Sequence, residues 1–131
     1  MENFFKWLLA GLCTVCGFLF GELDGMIIAL IAMIVLDYIT GVIAAAVEHK
    51  LSSEVGAKGI AKKILMLLIV VVANIVDVNV ISEGHVLKSV TIIFYIANEG
   101  ISLLENAGRL GVPLPKKLLD ILSQLKDKAD K

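Results

Sequence analysis

GMIIALIAMIVLDYITGVIAAAV, residues 25–47, is an unbroken apolar run of 23 residues interrupted by one formal charge, Asp37. As a helix it reaches about 35 Å at 1.5 Å per residue, enough to cross a hydrocarbon core of about 30 Å. Its 11 Leu, Ile and Val residues favour insertion by roughly 5 kcal/mol in total. A central aspartate opposes insertion by about 2.5–3.5 kcal/mol on the same scale. The segment therefore inserts, and Asp37 demands a partner, a proton or a task inside the membrane.

The rest of the chain agrees with that start. Of 131 residues, 58% are hydrophobic and 19% charged, more apolar surface than a soluble domain of this size can bury. The formal net charge of −1 supplies no basic field for nucleic acid. Both cysteines lie in CTVC, residues 13–16, which lacks the second ligand pair of a zinc site, so they read as small packing residues. The N-terminal segment superficially resembles a signal peptide, but its flank carries Glu2 and no A-x-A site follows. LAGLC misses a lipoprotein box by one position. Phe4–Phe20 is therefore expected to be a retained membrane helix, with Phe4, Phe5 and Trp7 at the interface.

Four apolar segments are expected, at about 4–21, 25–47, 64–81 and 86–104, with a polar tail at 105–131. ELDG (22–25) and SEGH (82–85) are tight enough for helical hairpins, whereas 48–63 reads as a long basic loop. Lys6, Lys50, Lys58, Lys62, Lys63 and the basic residues from Arg109 onward fall on one side of four alternating spans, leaving only Lys88 opposite. The positive-inside rule then places both termini, and Lys50, Lys58, Lys62 and Lys63, in the cytoplasm. The fold class is an all-α integral membrane protein of three to four transmembrane helices in two hairpins. A C-terminal amphipathic cytoplasmic helix begins after Pro113 and Pro115, with Leu118, Ile121, Leu122 and Leu125 on one face.

The fourth segment carries a second pattern. Lys88, Thr91, Tyr95, Asn98, Ser102, Glu105 and Arg109 recur at spacings of 3 and 4, a polar stripe along one helix face. Lipid cannot satisfy it, so it meets either other helices, as a hydrogen-bonded seam, or water, as a pore lining. Glu99 falls at nearly the same depth as Asp37. The two carboxyls can share a buried polar layer, with at least one of them neutral; alternatively Asp37 is a protonated packing residue bonded to nearby backbone. Gly17 and Gly21 form a GxxxG in the first span. Thr40, Gly41, Ala44 and Ala45 give the second a small-residue face, and such faces let helices associate closely.

No phosphate loop, HExxH or GxSxG occurs, and His49 and His85 are expected on opposite sides of the membrane. No catalysis, cofactor or metal is expected. The strings LDYITGVIAAAVEHKLSSEVGAKGIAKK and FYIANEGISLLENAGRLGVPLPKKL resemble the toxin-secretion/phage-lysis holin family across roughly residues 30–122. Matched positions include Asp37, Thr40, Gly41, Lys62, Lys63, Asn98, Glu99, Ser102 and Glu105. The resemblance implies a cytoplasmic-membrane protein that self-associates and opens lesions at a set time, letting an endolysin or a large toxin out without necessarily binding it. An anti-holin is a further partner it implies, and relatives with three spans are common. The alternatives are an ion or proton channel subunit built on Asp37 and Glu99, and an anti-holin or assembly protein.

Overall fold

A computed structural model describes residues 1–22, 24–82 and 84–130. Among these the chain is all helix: α1 (Glu2–Phe20), α2 (Gly25–Val47), α3 (Ser53–Val76, continued by a π-helical turn over Asp77–Ile81), α4 (Val86–Arg109) and α5 (Lys116–Asp130). The first four, counting α3 with its π turn, are each long and apolar enough to span a bilayer.

Each boundary has a local cause. Asp24 caps α2 by accepting from the Ile27 N–H at 3.1 Å, and Ser52 caps α3 by accepting from the Val55 N–H at 3.4 Å. α4 has no such cap of its own. Its cap comes from the π turn instead. The Asp77 carboxylate, almost fully buried, accepts the Leu87 and Lys88 N–H groups at 3.2 and 2.6 Å, placing negative charge at the positive end of the α4 dipole. Widening the end of α3 into a π turn thus coincides with a carboxylate delivered across the hairpin.

The expected loop 48–63 is largely helix. α3 begins at Ser53, so the third helix gains eleven residues over the expected 64–81. Gly56 and Gly59 sit where Tyr38 of α2 packs: a methyl group on Gly56 would lie 3.4 Å from the Tyr38 hydroxyl. α4 likewise runs on to Arg109, so no break falls at 104/105, and α5 packs back along α4 instead of standing apart. The second span, 25–47, coincides with α2.

α4 is the central helix, flanked by α2, α3 and α5. The apolar core is small: Ile27, Leu30, Ile34, Val70 and Ile92, with Met66, Leu67, Tyr95 and Ile96 against it. Outside it, rows such as Ile28, Ile31, Val35, Ile39 and Val42 on α2 stay exposed. Polar groups go inward in compensation: Asp37, Asn74, Asp77, Lys88, Glu99 and Asn106 are all buried. Apolar surface outside and polar pairs inside is the arrangement a bilayer favours. Among the described residues α1 packs along α3, sets Phe20 against the core and buries no residue; a 3.0 Å hydrogen bond from Asn74 to the Leu19 carbonyl ties down its end.

Candidate functional site

Asp37 has a partner, and it comes from the segment expected to be a cytoplasmic loop. Lys63, on α3, places its Nζ 2.7 Å from Asp37 Oδ2 and 2.6 Å from Glu99 Oε2. Its side chain is 15% exposed and those of the two carboxylates 9% and 4%. One ammonium thus joins α2, α3 and α4 in a single layer, about 20 Å along α2 and α4 from the ends that meet the tight turns. Asp37 and Glu99 share that layer as the depth arithmetic requires. The correction concerns Lys63, which is part of the buried cluster; Lys50, Lys58 and Lys62 remain exposed. Once helix begins at Ser53, Gly56, Gly59 and Lys63 recur at 3 and 4 on one face. That spacing is the signal the sequence carries for a helix here.

The cluster extends through Asn106. Its Nδ2 donates to Asp37 Oδ1 and to Thr40 Oγ1, both at 3.1 Å, while Thr40 bonds back to the Asp37 carbonyl at 2.9 Å. Gly41 faces Asn106: a Cβ there would lie 3.6 Å from the Asn106 amide nitrogen, in ordinary contact. Ala44 is fully buried, whereas Ala45 borders a cavity. Arg109 continues the chain with two bonds to Glu48, Nε to Oε1 at 3.0 Å and Nη2 to Oε2 at 2.9 Å. These bonds hold the Glu48 carboxyl below its ordinary range. Glu48 is not singled out by the sequence; Asn106, a matched position of the second string, lies seven residues beyond Glu99, on the same face.

Beside the cluster a cavity of about 450 Å³ runs between α2 and α3. Lys50, Ser52 and Arg109 line it together with Asp37, Gly41, Ala45 and Lys63. It is large and polar enough to hold water against the cluster.

The stripe on α4 divides in two. Lys88 is buried beside Ile92, facing Gly21 and Asn74: a Cβ on Gly21 would lie 3.1 Å from Lys88 Nζ and 3.0 Å from Asn74 Oδ1. Gly21 also adopts φ 74°, so it serves as a close-approach turn glycine. Gly17 has nothing within 4 Å and packs no helix within the chain. Tyr95 is half-buried against the core. Thr91, Asn98 and Ser102 are half-buried and Glu105 exposed, along a flank of α4 that the core does not cover. Among the described residues Thr91 bonds only to its own helix, at the Leu87 carbonyl. The described residues contain no cluster of three or more His, Cys, Asp or Glu able to hold a metal.

A buried ion trio, a half-buried polar helix flank and a largely apolar exterior describe a membrane protein. Comparison with known proteins decides its family, because the chain matches the bacteriophage holin family over residues 14–127. It belongs to that family. A protein of Bacillus phage phi105 named "Probable holin" is 39% identical over 113 residues, covering 86% of this chain and 82% of its own. An uncharacterised 14.9 kDa protein in the nagH 3′ region of Clostridium perfringens is 41% identical over 126 residues, 96% of each chain. An uncharacterised protein of Halalkalibacterium halodurans is 38% identical over 130 residues, again 96% of each. No solved structure matches. The holin family is not an enzyme family, and this member is a multi-pass membrane protein.

Proposed function

We propose that this holin self-associates in the bacterial cytoplasmic membrane, both termini inside, and opens holes through which a cytoplasmic endolysin reaches the cell wall. The carrying observation is the polar flank of α4 that the core leaves uncovered: Glu105 is exposed and Thr91, Asn98 and Ser102 are half-buried, on a chain that also exposes many large apolar side chains. In a closed cluster, neighbouring copies cover these groups; in an open one, water satisfies them. The two states then differ by only a few kcal/mol, as a timed switch needs. The ion trio holds α2, α3 and α4 as one body while copies rearrange around it. Endolysin is a functional partner that need not touch the holin, a large toxin can leave by the same route, and an anti-holin would act by joining the cluster. The test is co-expression with a cytoplasmic endolysin that has no export route of its own. Turbidity should collapse abruptly after a delay; steady growth with the holin in the membrane would sink the proposal.

A proton channel is the second function, favoured by the cavity that leads to Asp37 and Lys63. It predicts proton flux without release of any protein. Lys63 stands against it, since both carboxylates are already engaged.

A further inference from the structure

The holin reading gives α4 a water-facing flank and leaves α5 unexplained. Three contacts fix how α5 lies. Leu122 comes within 3.0 Å of where a Cβ on Gly100 would stand, and Leu114 within 3.3 Å of one on Gly108. Lys126 Nζ sits 5.9 Å above the Phe94 ring. α5 therefore runs antiparallel to α4, back from Pro115 to the level of Phe94, which is 15 residues, or about 22 Å, from the Arg109 end. That carries it through most of a bilayer core of about 30 Å.

The contacts also fix which way α5 is turned. Taking Glu99 as the core direction of α4, Thr91, Asn98, Ser102 and Glu105 lie about 60–120° round on one side, the side of Phe94, and Gly100 lies on the other. On α5, Lys126 reaches towards Phe94 and Leu122 towards Gly100. Continuing round from Leu122 past Lys126 come Ser123, Asp127 and Asp120. They stand on the same side of the hairpin as Asn98 and Ser102. Round the other way come Leu118, Ile121 and Leu125, 44%, 44% and 38% exposed. The hairpin thus has one polar broad side and, on the other, a leucine strip whose outer edge is bounded by the exposed Lys117 and Lys128.

Asp120 and Asp127 are exposed and neither forms an ion pair among the described residues. At that depth hydrocarbon cannot receive them, whereas the leucine edge can face lipid. We infer that α4 and α5 together form a two-helix wall of the hole, with the Ser123, Asp127 and Asp120 flank of α5 lining the same water-filled lumen as Thr91, Asn98 and Ser102. This rests on the hole-forming function proposed above. It assigns the C-terminal helix to the interior of the hole instead of the membrane surface, where its composition alone would place it.

The test uses the full chain in bacterial membranes with Cys13→Ser and Cys16→Ser. In the first arm, Phe94→Cys and Lys126→Cys are joined by a short bifunctional thiol reagent. The tethered protein should still open on triggering, within about twofold of the untethered rate, because the wall stays intact as the hole forms. Absence of the cross-link, or a tethered protein that never opens, overturns the inference. In the second arm, Asp120→Leu with Asp127→Leu should permeabilise at least about tenfold more slowly, since a leucine flank no longer favours water over lipid. The same cross-link reports whether the leucine variant is folded. A leucine variant that cross-links and opens as fast as the parent also overturns it. If the untethered parent itself fails to permeabilise, the hole-forming function fails instead, a separable result.

Discussion

Lys63→Met tests whether the ion trio holds the bundle. The change keeps the side chain's length and removes the one charge that contacts both Asp37 and Glu99, at 2.7 and 2.6 Å. Two carboxylates then remain in a largely buried layer, 9% and 4% exposed. Breaking a buried ion pair by deleting one partner typically costs about 3–5 kcal/mol, because the charge left behind has no counter-ion. Asn106 can still donate to Asp37, whereas Glu99 loses its only side-chain partner among the described residues, so the upper half of that range applies. Removing the charges together avoids the penalty. Asp37→Asn and Glu99→Gln added to Lys63→Met should recover more than half of the loss, since a neutral layer leaves no orphan ion. Helicity in detergent micelles, followed through a denaturant titration, measures both. A Lys63→Met protein within about 1 kcal/mol of the parent, or a triple variant no more stable than the single, would refute the clamp.

Other consequences are equally specific. Asp37→Asn should insert normally and shift the time or extent of permeabilisation, as followed by membrane depolarisation; identical triggering across external pH would show that ionisation at this position is irrelevant. Asp77→Ala removes the side-chain cap on α4 seen among the described residues and should destabilise the hairpin by about 1–2 kcal/mol, read as faster hydrogen exchange at Leu87 and Lys88. At the end of the bundle, Glu48 is a carboxyl whose folded value is lowered by Arg109. The link between the ends of α2 and α4 is therefore complete above the ordinary glutamate value of 4.5 and is lost as pH falls through the lower folded value. Spin labels at positions 47 and 110 should separate on acidification and in high salt, where an exposed pair is screened. Asn98→Leu and Ser102→Leu should each leave the protein inserted but slow to open, whereas Ile93→Leu should be silent.

What the sequence disclosed and what it hid follow from the range of the interactions. α2 was legible to the residue because hydrophobic length and a single flanking cap, Asp24, decide it locally. The shared depth of Asp37 and Glu99 followed from counting along helices that begin at the same membrane face. Their partner did not. Lys63 sits 26 and 36 residues away along the chain, inside a stretch whose two glycines and four lysines mimic a solvated loop. Only the Tyr38 contact explains why Gly56 and Gly59 belong to a helix. The α4 stripe was visible as a period, yet period alone cannot say which arc faces the core. Lys88 and Tyr95 turn towards it, Asn98 and Ser102 away, because Glu99 and Asn106 fix the inward arc through Lys63 and Asp37. The return of α5 along α4 depends on Gly100 and Gly108 permitting close approach, and spacing within either helix carries no trace of it.

Size-resolved release from liposomes tests the central claim most directly. Purified holin is reconstituted into vesicles loaded with both a small dye and a folded cytoplasmic enzyme, and the two are followed together after triggering. A hole lined by the polar flanks predicts that dye and enzyme leave at the same moment. Dye or proton leakage with the enzyme retained would contradict it and leave the narrow channel built on Asp37 and Glu99.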